Sequence, residues 1–391
     1  MISREEFQSR QAQVRAALAA GGFNGLLAWG RGGSTYDHFA DVFYLCNFYP
    51  QQPFIPDRVG QWRAQGHAAL VVPLEGPVTL IADSLEFQES PPIAEKCEAA
   101  ADVISSVATA INETVPPGNI ALGGAEALVS RWHFDLSIRL KHHTLVESED
   151  LTATLRRKKS PLELQMLRNA ARLGSHAITG GLEEGMPGAT ECEIAAAAIS
   201  TIVRGGGVLH GLGLSSGPWA HTFAPSTPAA YTMRPLNAGD MLRIDVYGSL
   251  DGYMFDLART RIVGAPPTSE QQEMIRAVQT AVRAGIEILR PGQTLGSVAR
   301  RCEAVFAGSD YVLHHGMPRN LLGGAWGHGL GLAFEEPWID VTSEQLVQPG
   351  MSFALERRIS APGIGGANYE DMILITDSGP EVISFVADDC S

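Results

Sequence analysis

Asp245 and Asp256 each sit in an apolar stretch, flanked by Ile244 and Val246 and by Phe255 and Leu257. The segment from Met241 to Ile262 reads as two strands joined at Asp251-Gly252, a dipeptide suited to a two-residue hairpin loop. With those two residues as the loop, Leu250 faces Tyr253 and Tyr247 faces Asp256. Asp245, two residues before Tyr247, then shares a face with Asp256 as its diagonal neighbour. Two carboxylates converging in an apolar sheet repel each other unless a cation compensates both. A metal site and a pair of exposed or capping aspartates both remain open on this pattern alone.

Further along, His328 lies among glycines in Gly327-His328-Gly329-Leu330-Gly331. Glu356 closes the apolar run Phe353-Ala354-Leu355, and Glu370 precedes Asp371-Met372-Ile373-Leu374. Acids embedded in apolar strands need partners. Together Asp245, Asp256, His328, Glu356 and Glu370 supply four carboxylates and one imidazole, enough for two divalent ions sharing bridging oxygens.

The elements that must carry these residues alternate between helix pairs and strand blocks. Ser160-Pro161 with Glu163 forms a capping box before Leu164, Leu167, Ala170, Ala171 and Ile178 at helical spacing. A second box, Thr190 with Glu193, opens an alanine-rich helix that stops at Gly205-Gly206-Gly207. Two more helices are expected at about 269–289 and 295–306, separated by Pro291-Gly292. Strand blocks at 240–263 and 350–386 follow the two helix pairs, which suggests an internal duplication.

The first third reads as a separate α/β unit. An amphipathic helix over about 5–20 precedes short apolar strands near 25–28, 68–72 and 78–82, the last two joined through Glu75-Gly76-Pro77. The aromatic segment from Tyr36 to Trp62, interrupted by Pro50, Pro53 and Pro56, is expected to be an ordered loop. The acidic stretch ending at Asp150 and the basic run Arg156-Arg157-Lys158-Lys159 mark a boundary, giving domains 1–152 and 153–391.

The chain has 391 residues, 45% of them hydrophobic and only 18% charged, so it has material for a buried core and none of the composition of a disordered protein. Its net charge of -14 argues against nucleic acid as a partner. No run approaches the apolar length of a membrane span, and residues 1–20 carry charges in place of a secretory apolar core. Cys46, Cys97, Cys192, Cys302 and Cys390 are dispersed and odd in number, as for free thiols. A cytoplasmic location with no membrane association is the expectation.

Several of these motifs carry a family resemblance. Asp245 and Asp256 within IDVYGSLDGYMFDLART, His328 in GHGLGL followed by Glu335-Glu336-Pro337, Glu356 in PGMSFALE and Glu370-Asp371 in YEDMILIT resemble the creatinase, aminopeptidase P, prolidase and methionine aminopeptidase family. RRKKSPLELQMLRNAA resembles the opening of that family's catalytic domain, and the likeness covers roughly 153–386. It implies a pita-bread catalytic domain, an α/β (α+β) fold of duplicated helix-pair and curved antiparallel-sheet units, behind a smaller N-terminal α/β domain. It also implies a homodimer, metal ligation by Asp245, Asp256, His328, Glu356 and Glu370, and two divalent ions. Oxygen-rich ligation favours Mn, Fe or Co over Zn. His221, in SGPWAHTFAPST, corresponds to the family's active-site histidine, and Glu356 would be both ligand and base. His210, His314 and His315 are expected to be structural or exposed.

The pattern is broken at three places. Phe334 stands where the family's peptidases usually have a second histidine, Glu356-Arg357-Arg358 replaces Glu-Pro-Gly, and Asn368 replaces an arginine two residues before the last glutamate. A hydrogen-bond donor to a carbonyl is therefore missing. If Glu356 points inward along a strand, Arg357 points away and Arg358 returns to the same face. The expected substrate is a small molecule or dipeptide whose carboxylate is gripped by Arg358 and whose apolar part lies against Phe334, with Trp219 as a second wall. The competing role for Arg358 is a structural ion pair with Glu335, Glu336 or Glu356. The resemblance implies a metal-dependent hydrolase of a peptide or amide C–N bond, similar to an Xaa-Pro dipeptidase or aminopeptidase. The alternatives are a creatinase-like or ectoine-hydrolase-like amidohydrolase, a dimethylsulfoniopropionate lyase, and a catalytically silent binding protein.

Overall fold

A computed structural model describes residues 2–33, 39–86, 90–226, 228–318 and 324–387. The chain divides into two compact units, Met1–Arg156 and Arg157–Ser391.

In the first unit α1 (Arg4–Gly21) starts where the Ser3 hydroxyl accepts from the Glu6 N–H. It is followed by β1 (Gly25–Arg31), α2 (Ala40–Cys46), β2 (His67–Pro73), β3 (Thr79–Ala82) and β4 (Lys96–Ala99). Next come α3 (Val103–Thr114), β5 (Gly118–Gly123), α4 (Ser130–Arg139), β6 (His143–Glu147) and α5 (Glu149–Arg156). The six strands form one sheet in the order β4-β3-β2-β1-β5-β6. β2 and β3 are the antiparallel hairpin expected around Gly76, with Ala69 opposite Ile81. Strands β4, β5 and β6 join in parallel. Trp29, Val71, Ile81, Val107, Ile111 and Trp132 are central to the core of this unit.

The aromatic segment is not purely a loop. Its prolines begin only at Pro50, so the apolar run before them is free to coil, and Ala40–Cys46 is helical. Phe39 packs edge-on against Tyr49, with ring centroids 4.9 Å apart, and Phe54 packs against Trp132. Tyr36 and Cys390 lie outside the described residues. Cys46, Cys97, Cys192 and Cys302 are free thiols.

The second unit opens with α6 (Pro161–Glu184) and α7 (Glu191–Arg204), each with the expected capping box formed in both directions. Strands β7 (Val208–Ser216), β8 (Met241–Leu250) and β9 (Tyr253–Ile262) complete the first half. The second half repeats the plan with α8 (Ser269–Ile288), α9 (Leu295–Ala307), the unexpected short α10 (Asp310–His315), β10 (Gly327–Leu330) and β11 (Phe334–Glu335). It ends with β12 (Ser352–Ala361), β13 (Gly365–Thr376) and β14 (Gly379–Val382). One antiparallel sheet runs β11-β10-β12-β13-β9-β8-β7, with β14 also paired to β13.

The helices cover one face of this sheet. α6 lies on β8 and β9, where Gly174 approaches Phe255 and Leu257 so closely that a Cβ would fall 2.5 Å from the Leu257 side chain. In the other half Val278, Ala281 and Val282 of α8 join Phe353, Leu355 and Ile373 in a buried cluster. Burying this apolar face leaves the alternate side chains of the same strands for the opposite face, and the polar residues singled out in the sequence are on it.

Candidate active site and metal centre

The β8–β9 turn sets the register of the first two acids. Asp251 and Gly252 have φ of 52° and 84°, the left-handed conformation that a tight primed turn requires. Leu250 pairs with Tyr253, Tyr247 with Asp256 and Asp245 with Ala258, the register expected from the sequence. On the neighbouring hairpin Glu356 pairs directly with Glu370, and Glu370 in turn pairs with Ala258.

The face opposite the helices therefore carries three rows of side chains. His328 (paired with Ala354), Asp256 and Tyr247 form the first. Glu356, Glu370 and Asp245 form the second. The third holds Arg358, Asn368, Thr260 and Arg243, with the Asn368 N–H donating to Thr260 Oγ1 at 2.8 Å. A cavity of about 220 Å³ opens over these rows. It is lined by the four carboxylates and His328, together with Phe223, Tyr247, Phe334, Trp338 and Arg358.

Donor atoms of Asp256, His328 and Glu370 all lie within 4.8 Å of one another. His328 Nε2 is 3.5 Å from Asp256 Oδ2 and 3.9 Å from Glu356 Oε1. His328 Nδ1 lies 2.9 Å from the Gly329 carbonyl oxygen, which fixes the proton on Nδ1 and turns Nε2 toward the acids. Glu370 Oε1 is buried with no hydrogen-bond partner. A buried imidazole with its Nε2 turned to Asp256 and Glu356 among four acids, one carrying an orphaned oxygen, suits a divalent cation.

A profile of metallopeptidase family M24 matches residues 165–377, more than half of the chain and a span that contains all five of these residues. The chain belongs to the M24 metallopeptidase family. Among its relatives, the probable dipeptidase PepE of Mycobacterium tuberculosis is 32% identical over 240 residues, 60% of this chain and 60% of that protein. The Xaa-Pro dipeptidase of Pyrococcus furiosus is 29% identical over 59% of this chain and 64% of its own length. The chain thus spans about 60% of the length of the curated relatives it matches. Among solved structures, the prolidase of Pyrococcus horikoshii superposes with a TM-score of 0.78 at 19% identity, covering 97% of this chain and 99% of that one. Dipeptidase PepE of Mycobacterium ulcerans gives 0.76 at 24% identity over 99% and 98%. The fold of this M24 protein is the pita-bread fold.

Electrostatics at the M24 site follow from crowding. Burial, then the charge of Asp256, pushes the Glu356 carboxyl up to about 7. Burial and the charges of Asp256 and Glu356 hold Asp245 and Glu370 well above the usual carboxylate range. Burial alone would lower His328, but the bond and charge of Asp256, with Glu356, raise it above the ordinary imidazole value. Crowding thus disfavours a full set of ionised carboxylates unless a cation joins them.

The positions where the chain departs from the family pattern also face the site. Asn368 donates from Nδ2 to Asp245 Oδ2 at 2.8 Å. Phe334 packs against His328 and Tyr247, at centroid distances of 4.9 and 5.6 Å. Arg357 turns to the helix side and stacks on Phe306 and Trp326, while Arg358 returns to the cavity with its guanidinium 4.5 Å from the Phe223 ring centroid. Arg358 makes no ion pair among the described residues, and its Nε is buried without a hydrogen-bond partner. Glu335, one of the acids that could have paired with it, instead meets Lys159 Nζ at 2.6 Å.

Two residues expected at the site stand elsewhere. His221 does not line the cavity: in the turn after β7 its Nδ1 lies 2.9 Å from the Pro218 carbonyl oxygen. Trp219 ends the 3-10 turn Gly217–Trp219 and is 59% exposed. That turn directs Trp219 outward, and the chain brings Phe223 back over the sheet instead. The ring of Phe223 fits because Gly213 of β7 has no Cβ, which would come within 2.4 Å of it. Tyr247, Phe223 and Trp338 are cavity walls that the sequence reading did not include, and Arg243, buried in the third row behind Phe223, was not included either. Arg243, two residues before Asp245, could have been found by strand alternation; Trp338 had no comparable signal.

Proposed function

We propose that this protein is a metal-dependent hydrolase of a small amide or peptide C–N bond, acting on substrates of the Xaa-Pro dipeptide type. The observation that carries this is the buried set of four carboxylates facing His328 Nε2, with Glu370 Oε1 unsatisfied. Asp245, Asp256, His328, Glu356 and Glu370 would hold two divalent ions, and the oxygen-rich donor set favours Mn, Fe or Co over Zn. The chemistry such ions supply is Lewis-acid polarisation of a carbonyl and a nucleophilic water at neutral pH.

The chain's own residues do the rest. Glu356 lines the cavity and is the group placed to take a proton from the attacking water and return it to the leaving nitrogen. Asn368 holds Asp245 in orientation through its Oδ2. Phe334, Tyr247 and Trp338 exclude water and receive the apolar half of the substrate. Arg358 receives a carboxylate, with a planar guanidinium suited to bidentate pairing. A cavity of about 220 Å³ suits a molecule of dipeptide size. His221 takes no proton in this scheme, because it stands outside the cavity.

Phe334 offers no hydrogen bond to a carbonyl, and that observation favours a second function, hydrolysis of a non-peptide amide in the manner of creatinase-like or ectoine-hydrolase-like relatives. A substrate panel separates the two. Among the described residues no helix is long and apolar enough to cross a membrane. A cytoplasmic homodimer is also proposed, on the resemblance to the family alone.

The deciding experiment loads the purified protein with Mn²⁺, counts bound metal and measures turnover of Xaa-Pro dipeptides beside non-peptide amides. Metal-dependent cleavage of the dipeptides is the expected result. Failure to bind any divalent ion overturns the proposal.

A further inference from the structure

Arg243 and Arg358 arise from β8 and β12, two strands separated in the sheet by β9 and β13. Their side chains nevertheless converge. The guanidinium carbon of Arg358 lies 4.5 Å and that of Arg243 5.9 Å from the centroid of the same ring, Phe223. The intervening third-row positions, Asn368 and Thr260, are small enough to be reached across.

Arg243 is fully buried, and its Nε and Nη1 have no hydrogen-bond partner. Its Nη2 donates to the Thr222 carbonyl, which also accepts from the Ser215 hydroxyl at 2.8 Å. Arg243 thus ties down the residue before Phe223 while its charge lies against the Phe223 ring. Neither arginine forms an ion pair among the described residues. Two guanidiniums held beside one ring repel each other, a cost that an anion paired with Arg358 would offset. If Asp245 and Glu356 are taken up by divalent ions, as the proposed function requires, that anion must come with the substrate.

We propose that Arg243 is a specificity-determining residue of this site: a positioning residue that holds Phe223, and through it Arg358, in the pose that receives a substrate carboxylate. Arg358 touches the carboxylate and Arg243 does not. The inference rests on the carboxylate-binding role assigned to Arg358 above.

The test uses Mn²⁺-loaded protein and two probes of one shape, isobutyrate and isobutyramide, with binding measured by titration calorimetry. The native protein should prefer isobutyrate by about tenfold or more, the range expected for charge-assisted hydrogen bonds. Arg243→Met should collapse that preference to about twofold or less while leaving binding of the amide near its native value. Phe223→Leu, which keeps apolar bulk but removes the ring, should also collapse the preference, whatever its effect on absolute affinity, and decides the matter if Arg243→Met does not fold. Preference retained in the folded variants, or equal weakening of both probes, overturns the inference alone. Absence of any preference in the native protein, or its persistence in Arg358→Met, overturns the role of Arg358 and this inference with it.

Discussion

Glu356 and Glu370 face each other directly across the β12–β13 ladder, two buried acids at opposed positions of adjacent antiparallel strands. Like charges so placed destabilise a sheet. The pair marks a position where the fold gives up stability that a cation held there, as proposed above, would restore.

Glu370→Gln should therefore separate stability from metal binding. The metal-free variant should melt about 2–4 °C higher than the metal-free native protein, the equivalent of ~1 kcal/mol in a unit of this size. Its metal affinity should fall by more than the roughly 10–100-fold that loss of an outer hydrogen bond costs. Differential scanning calorimetry and metal titration check the two halves, and a lower melting temperature without metal would refute the first.

The pH dependence has a definite sign. Glu356 is raised from 4.5 to about 7 in the folded, metal-free protein. Its contribution to stability is thus fully present below about pH 4.5 and is lost as pH rises through 7. Metal binding displaces the same protons and strengthens over that interval. The difference in melting temperature between metal-loaded and metal-free protein should widen steadily from pH 5 to pH 8. A constant difference would show that Glu356 does not share its proton site with the metal.

Substitutions at Glu356 and at His221, which corresponds to the family's active-site histidine, should behave differently. Glu356→Gln should abolish turnover, whereas His221→Ala, outside the cavity, should leave kcat within about tenfold of native. A loss of three or more orders of magnitude in His221→Ala would mean that the turn after β7 carries this histidine inward during the reaction.

Lys159 and Glu335 form an ion pair in which both side chains are only 3% exposed. Lys159→Met removes the ammonium partner of a buried carboxylate and should cost about 3–5 kcal/mol in urea unfolding. Adding Glu335→Leu should recover most of that loss, because the paired apolar side chains leave no buried charge. Additive losses in the double variant would show that the pair is not coupled.

Local signals carried a large part of this structure. The Asp251-Gly252 dipeptide specified the β8–β9 register to the residue, and two capping boxes located the starts of α6 and α7. Strand alternation separated Arg357 from Arg358. What could not be read depended on distant chain. The direct opposition of Glu356 and Glu370 follows from how β12 and β13 align, which no short dipeptide announced. The outward turn of Trp219 and the replacement of His221 by Phe223 at the cavity depend on space left by Gly213 on another strand. The helix over Ala40–Cys46 was obscured by aromatic residues and prolines that lie mostly outside it.

The five converging residues are divided between the two repeats, with Asp245 and Asp256 in the first and His328, Glu356 and Glu370 in the second. During synthesis the ribosome releases the two aspartates more than a hundred residues before the last glutamate. A nascent chain can fold its first repeat but cannot assemble the donor set until β13 has emerged and docked against β9. Maturation of the centre is consequently a late event, and a truncated translation product ending before Glu370 would lack the complete donor set however well its first repeat had folded.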